Sequence, residues 1–318
     1  MKKNDQYEDF EAGDEEGLKT KARRLATYST EALRRALPID RLVIPHAAFA
    51  TALAALDRGF QLGKEFSVPA GVRVYGPPGT GKTTLLRYFA DSLPRFDLIE
   101  PGMGVVRIRL PRAPHIGSVV ESVLRALQYP FPAVSSTTVG IKRELSIEAL
   151  RRKGTRLLAV DEAHNLCGAS VGAKRESAEG TTVSNYLSEL IDEAKVAICL
   201  AGGPALERLE ERDRYLASRC PTCLELSNFP LNGQWLGLVA AIVKQCDTFD
   251  LKFVNQEDQR RPLHDATAGN PRALKTLLIE AVLVAVDAGQ KQLDKGVLAI
   301  AFQRVNGSKV QMLNPWGK

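Results

Sequence analysis

Eight consecutive residues, Gly76-Pro77-Pro78-Gly79-Thr80-Gly81-Lys82-Thr83, constrain this chain more than any other stretch. They satisfy the pattern G-x-x-x-x-G-K-[ST] in full, and their surroundings suit it. Val72-Arg73-Val74-Tyr75 reads as a short strand entering the loop, and the run from Thr84 to Ala90 as an amphipathic helix leaving it. Glycines at these spacings let successive N–H groups turn inward, and the following helix N-terminus adds a positive dipole end, so the loop suits phosphates. Lys82 is placed to reach the β- and γ-phosphates of a nucleotide, and the Thr83 hydroxyl to ligate Mg2+.

A second landmark lies downstream. Leu157-Leu158-Ala159-Val160 reads as a buried strand that delivers Asp161 and Glu162 at its C-terminal end, where an open parallel sheet places its ligands. Asp161 suits a magnesium ion, and Glu162 suits polarisation of the attacking water. A bare Asp-Glu pair is common; one intervening strand downstream of a phosphate loop, it becomes informative. The expected nucleotide-binding set is therefore Gly76 to Thr83, Thr84 and Asp161, with Lys82 and Glu162 also catalytic.

Around these landmarks the pattern alternates. Strands are expected at Val72–Tyr75, Val105–Leu110, Leu157–Val160, Lys195–Ala201 and Thr222–Leu226, interleaved with helices. Gly168 to Thr182 reads as a loop, and Leu206 to Tyr215 as one highly charged helix. From Asn228 onward the pattern is wholly helical. The fold class this implies is α/β: a parallel five-stranded sheet followed by a C-terminal helical lid. The expected organisation is an N-terminal extension over 1–40, a nucleotide-binding domain over 41–228, a lid over 229–305 and a flexible tail over 306–318. Within the extension, residues 5–16 are acidic, and a basic helix is expected over 18–37, ended by Pro38.

Composition narrows the class. The 318 residues are 44% hydrophobic and 25% charged, as in globular proteins, and the formal charge is +6. No segment approaches the roughly 18 continuous apolar residues that span a bilayer. The N-terminus carries no signal-peptide pattern, so a cytoplasmic, membrane-free protein is expected. Five cysteines make an odd set for a disulfide framework, and Cys220-Pro221-Thr222-Cys223 lacks the second pair that a zinc site needs. His46 reads as a cap or surface residue.

The two prolines of the phosphate loop, the Asp161-Glu162 pair and the later Gly269-Asn270-Pro271-Arg272 together resemble the AAA+ ATPases. That resemblance implies ATP as the nucleotide. It implies a sensor-2 role for Arg272, touching the γ-phosphate from the start of a lid helix. It also implies an arginine finger, given in trans to a neighbour's nucleotide, after the fourth strand; Arg219 is the choice, with Arg214 and Arg212 as rivals. The sensor-1 position departs from the family pattern. Asn or Thr is usual there, whereas Leu200-Ala201-Gly202-Gly203 offers no polar side chain to orient the lytic water. Hydrolysis is therefore expected to be slow or partner-dependent.

Within AAA+, residues 30 to 290 resemble the TniB/TnsC group of transposition ATPases, cousins of MuB. Carrying this are Arg41 to Pro45, the stretch from Arg107 through Leu124, Val160-Asp-Glu-Ala-His164, Gly202 to Leu206 and Asp213 to Arg219. The group implies ATP-dependent homo-oligomers, as rings or filaments, on duplex target DNA. It also implies recruitment and stimulation of a DDE-type transposase and, in some members, contact with a TniQ-type targeting protein. Lys142, Arg143, Arg151, Arg152 and Lys153, with Lys174 and Arg175, form a basic set that could neutralise DNA phosphates without reading bases. A solvated basic face is the plainer reading of each.

Three other functions compete. An AAA+ replication initiator or helicase loader shares the fold but appends a winged helix after the lid, where only a short tail follows Val305. A metabolite kinase with the same loop needs no glutamate for lytic water. An NTP-driven interaction switch without nucleic acid fits every residue named so far.

Overall fold

A computed structural model describes residues 27–67, 69–93, 103–167, 174–307 and 314–317, the backbone alone over 174–182. In chain order the elements are α1 (Thr30–Arg41), α2 (Ala47–Leu62), β1 (Val72–Tyr75), α3 (Lys82–Ser92), β2 (Val105–Arg109), α4 (Ile116–Ala126) and α5 (Val139–Arg152). They continue with β3 (Leu157–Asp161), α6 (Lys174–Asp192), β4 (Ala197–Gly202), α7 (Leu209–Arg212), α8 (Arg214–Arg219) and β5 (Thr222–Glu225). The last four are α9 (Gly233–Gln245), α10 (Glu257–Thr267), α11 (Pro271–Asp287) and α12 (Lys295–Asn306). No helix among the described residues is long and apolar enough to cross a membrane.

The chain divides into two compact units. One is Val43–Leu238 together with the short return segment Thr267–Ala273; the other gathers the described residues before Val43, Val239–Ala266 and those from Leu274 onward. The first contains the sheet, whose five parallel strands lie in the order β2-β3-β4-β1-β5. Burial follows position. β4 is buried along its whole length, whereas β5, at an edge, exposes alternate residues.

Two apolar cores, one per face, follow from the period of two. Leu158 and Val160 of β3 join Ile198 and Leu200 of β4 in the core that α4, α5 and α6 cover. Their neighbours Leu157, Ala159, Cys199 and Ala201 join Val72 and Val74 in the core covered by α2 and α3. His46 caps α2, its Nδ1 accepting from the Phe49 N–H at 3.4 Å.

Three expectations about helices change. α6 starts at Lys174, inside the stretch expected to be a loop. Its small polar first half hides a helix that the apolar spacing reveals only from Val183, Tyr186, Leu187 and Leu190. The charged segment from Leu206 is not one helix. A 3-10 turn over Pro204–Arg208 leads to α7, and Asp213 then stops the chain and caps α8 through its side chain and the Leu216 N–H, 2.9 Å apart. In the second unit, Pro38 does not end α1. It sits in the last turn, which continues to Arg41 and buries Ile39.

The tail, expected to be flexible, is seated where it is described. Trp316 donates its indole N–H to buried Gln259 at 2.9 Å and packs edge-on against Phe302. The extension over 5–16 and its basic residues up to Arg24 lie outside the described residues.

One buried charge braces the sheet unit. Arg73 of β1 is 3% exposed, and its guanidinium donates to the Cys220 carbonyl at 2.9 Å and to Glu210 at 3.2 Å. Removing it leaves a buried carbonyl without this donor, at a cost of about 1–3 kcal/mol, while Glu210 stays in solvent. Arg73→Ala is accordingly expected to lower the urea midpoint by that amount of stability with an unchanged denaturant slope; an unchanged midpoint would show that the clamp contributes nothing.

Candidate active site

Parallel strands in this register bring their C-terminal ends to one edge. Tyr75 pairs with Gly202 and Arg109 with Asp161, and Val160 pairs with Leu200. The glycine-rich loop leaves β1 there, the two carboxylates follow β3, and the Gly202-Gly203 turn of β4 lies between them.

The loop takes its shape from its glycines. Gly76, Gly79 and Gly81 all have φ between 86° and 150°, a region that disfavours side chains. A Cβ at Gly76 would lie 2.0 Å from the Leu226 carbonyl oxygen, and one at Gly79 would lie 2.5 Å from Asn270 Oδ1. Thr80 is buried and closes the turn by donating to the Pro77 carbonyl at 3.0 Å. Pro78 offers its carbonyl to Asn270. Lys82 opens α3 with Thr83 and Thr84 behind it, and its ammonium donates to the Gly76 and Pro77 carbonyls at 2.8 and 2.6 Å. Burial pushes the Lys82 ammonium below the usual lysine range; the nearby carboxylates of Asp161 and Glu162 oppose that shift and Arg272 adds to it.

The adjacent carboxylates diverge. Thr83 Oγ1 donates to Asp161 Oδ2 at 2.8 Å, joining the loop helix to β3. Two hard oxygen donors converging in this way are chemistry that fits a magnesium ion. Glu162 has φ +57°, a left-handed conformation that costs a non-glycine residue about 1 kcal/mol or more. That turn sends its carboxylate elsewhere: Oε1 accepts from Arg109 Nη2 at 3.1 Å, and Oε2 lies 3.4 Å from His164 Nδ1. The same His164 nitrogen accepts from the Gly203 N–H at 3.0 Å. Arg109, Glu162 and His164 line an open cavity of about 670 Å³ that Arg112 and Arg125 share.

The turn bearing Arg272 belongs to the sheet unit and reaches the loop. Asn270 donates to the Pro78 carbonyl and to Asn228 Oδ1, both at 2.9 Å, and accepts the N–H groups of Arg272 and Ala273. The Arg272 N–H itself lies 3.2 Å from the Gly79 carbonyl. Arg272 therefore stands directly beside the phosphate loop.

Arg219 is elsewhere. It precedes β5, and its carbonyl accepts from the N–H of Gly71, which precedes β1, so it lies at the N-terminal ends of these strands. Its guanidinium stacks on the Tyr215 ring and bonds the Tyr215 hydroxyl at 2.7 Å and Asp192 at 3.0 Å. The hydroxyl contact first, and Asp192 with it, holds its pKa above the ordinary arginine value, against the lowering effect of burial. The rivals Arg212 and Arg214 are exposed.

The basic set of α5 is not a row of unengaged cations. Arg143 pairs with Glu189 at 2.6 Å, Arg151 bonds the Glu193 carbonyl at 2.6 Å, and Arg152 pairs with Glu148 at 2.7 Å. Lys142 bonds the Phe131 carbonyl and stands over the Tyr129 ring. Lys153 is half-exposed at the end of α5. The side chains of Lys174 and Arg175 lie outside the described residues.

Sequence reasoning passed over Arg109, His164 and Asn270. Each had a signal: Arg109 ends the strand beside the carboxylates, and the other two belong to quoted motifs, Asp161-Glu-Ala-His164 and Gly269-Asn-Pro-Arg272.

Comparison with known proteins places this geometry. A family model described as bacterial TniB protein matches residues 36–225, more than half of the chain. No curated protein matches it by sequence. Among solved structures, ORC2 of Aeropyrum pernix, in ADPNP–ADP complexes, is similar with TM-score 0.60 and 17% identity over 85% of this chain and 70% of that one. Cdc6p of Pyrobaculum aerophilum gives 0.58 and 17% over 80% and 66%. ORC1 of A. pernix, in complex with DNA, gives 0.55 and 18% over 83% and 66%. At such identities these likenesses speak for the AAA+ fold alone. The chain belongs to the TniB family, on an AAA+ fold with a phosphate loop and two carboxylates at one edge of its sheet.

Proposed function

We propose that this protein is an ATP-dependent regulator of DNA transposition that oligomerises on duplex target DNA and there recruits and activates a DDE transposase. The observation that carries the reading is the division of the site between opposite ends of the sheet. Loop, carboxylates and Arg272 gather at the C-terminal edge, whereas Arg219 stands at the N-terminal ends of β1 and β5. An arginine so placed cannot reach its own chain's loop across the length of the strands, but it can be offered to a neighbour's. ATP then joins subunits, and hydrolysis releases them.

Each residue has a part in that cycle. The backbone N–H groups of Gly79 to Thr83 and the Lys82 ammonium bind the phosphates. Thr83 and Asp161 would hold the magnesium ion, which when bound supplies positive charge beside the β- and γ-phosphate oxygens. Glu162 polarises the attacking water, and to do so its carboxylate must leave Arg109. Arg272 and a neighbour's Arg219 stabilise the charge that develops on the γ-phosphate. Arg219 must likewise leave Tyr215 and Asp192, so turnover awaits assembly.

DNA binding is proposed to be electrostatic and only weakly sequence-specific, hence steeply salt-dependent. Of the basic set, Arg143 is the poorest contact because Glu189 neutralises it, and Arg152, with 79% of its side chain exposed, is the best placed. A replication-initiator reading keeps one point in its favour, the shared fold with the ORC and Cdc6 proteins. The family match over 36–225 favours transposition. A TniQ-type partner remains part of the proposal.

Filter binding and electron microscopy with duplex DNA test the reading. ATP and a non-hydrolysable analogue should each support DNA-bound oligomers, and ADP or no nucleotide should not. Lys82→Ala should abolish assembly, whereas Glu162→Gln should keep it and lose turnover. Absence of nucleotide-dependent assembly on DNA would sink the proposal. The trans arrangement has its own test. Arg219→Ala should reduce hydrolysis by roughly 10^3-fold or more, and mixing it with Lys82→Ala should recover part of the rate, because some interfaces then pair an intact loop with an intact arginine. No recovery on mixing would remove Arg219 from the finger role.

A further inference from the structure

Gly202 ends β4, between the strands that carry the phosphate loop and the carboxylates, where the AAA+ pattern usually has a polar side chain. Gly202 has none, and it could not have one. A Cβ at Gly202 would lie 2.6 Å from the His164 backbone nitrogen and 3.2 Å from its Cβ and Nδ1. Because the closest of these atoms is backbone, the space is closed by the Ala163–Cys167 turn itself, whatever residue stands at 164. The His164 ring lies over the next residue, its Cγ 3.4 Å from where a Cβ at Gly203 would stand.

That ring is oriented. The Gly203 N–H donates to Nδ1 at 3.0 Å, so the proton of the neutral imidazole sits on Nε2. Nδ1 also lies 3.4 Å from Glu162 Oε2; two acceptors at that spacing are in van der Waals contact and share no hydrogen bond. His164 thus packs against Glu162, its Nε2–H has no partner among the described residues, and both side chains line the cavity that opens beside the carboxylates, towards Arg109, Arg112 and Arg125. Arg109 donates to the other oxygen of Glu162 at 3.1 Å.

We propose that His164 is the positioning residue for water activation, supplied from the end of β3 in place of the side chain that β4 lacks at Gly202. Its ring fixes the rotamer of Glu162 by contact, and its Nε2–H is the donor that orients the water or the γ-phosphate oxygen beside it. Gly202 and His164 are coupled through the backbone: the glycine admits the turn, and the turn carries the histidine. The proposal rests on the reading of Glu162 as the lytic base. It removes the reason to expect slow turnover from the glycine pair alone.

Amide substitutions separate the two ring nitrogens, since Asn places a polar atom near Nδ1 and Gln near Nε2. The experiment measures kcat, the KM for ATP, DNA-bound assembly and the thermal midpoint for His164→Ala, His164→Asn, His164→Gln and Glu162→Gln. His164→Ala should lower kcat roughly tenfold to a hundredfold, with KM and assembly unchanged within about twofold. His164→Gln should restore most of the rate. His164→Asn should restore the midpoint, through the Gly203 N–H, without restoring the rate. Parental kcat in His164→Ala, with Glu162→Gln inactive, would overturn the proposal and leave the lytic-base reading standing. So would a midpoint and rate that fall together in His164→Ala and recover together in His164→Asn, which is the pattern of a structural prop. Parental turnover in Glu162→Gln would overturn the lytic-base reading itself, whatever the histidine variants do.

Discussion

The hydrogen bond from Thr83 to Asp161 spans the strand that lies between their own. β1 carries the loop, β3 carries the carboxylates, and β4 runs between them, so the bond must pass over the end of β4. β4 runs to Gly202, level with Tyr75 and one step beyond Asp161. Gly202-Gly203 provides the clearance, and the left-handed Glu162 then turns the chain back over it so that His164 settles on the glycines. A bulky residue at 202 would collide with the turn after Glu162 and part the two halves of the site. The glycine at this position and the turn that carries His164 are therefore coupled by their close approach.

Much of this was legible in the residues themselves. The phosphate loop, the two carboxylates and the five strands follow from local pattern, because β3 and β4 are apolar on both faces and the loop needs its glycines at fixed spacing. The helix starting at Lys174 was not, because its first half is small and polar and a helix without an apolar stripe looks like a loop. Arg109 and His164 were hidden for another reason. Their importance is a matter of strand order and register, and sequence shows which strands exist without showing which ones lie side by side. Once β2 is paired with β3, Arg109 stands opposite Asp161 and its contact with Glu162 needs no further explanation.

The basic residues of α5 teach the opposite lesson. In sequence they form a cationic run suited to a phosphate backbone. In the fold, Arg143 and Arg151 turn to Glu189 and to the Glu193 carbonyl, so their first role is to tie α5 to the end of α6. A charge count over a helix cannot tell a solvated face from an internal clasp, because both are cationic at helical spacing. Only the partner on the adjacent helix decides, and that partner lies some forty residues away.

The same economy governs the two ends of the sheet. Arg73 lies in β1, three residues before the phosphate loop, yet its guanidinium turns to the segment that carries Arg219, through the Cys220 carbonyl and Glu210. Gly71, at the start of the same strand, donates to the Arg219 carbonyl, and a Cβ there would lie 2.4 Å from Cys220 Sγ. One strand therefore sets the position of both the loop that receives phosphate and the arginine proposed for a neighbour's phosphate. In an assembly where each subunit is receiver at one end and donor at the other, a displacement of the loop would be carried along β1 to the arginine. Arg219 at rest is restrained by Tyr215 and Asp192, so the donor is held back while its backbone is fixed in place. Competition between those partners and a neighbour's phosphate is the means by which assembly, rather than nucleotide alone, could set the rate.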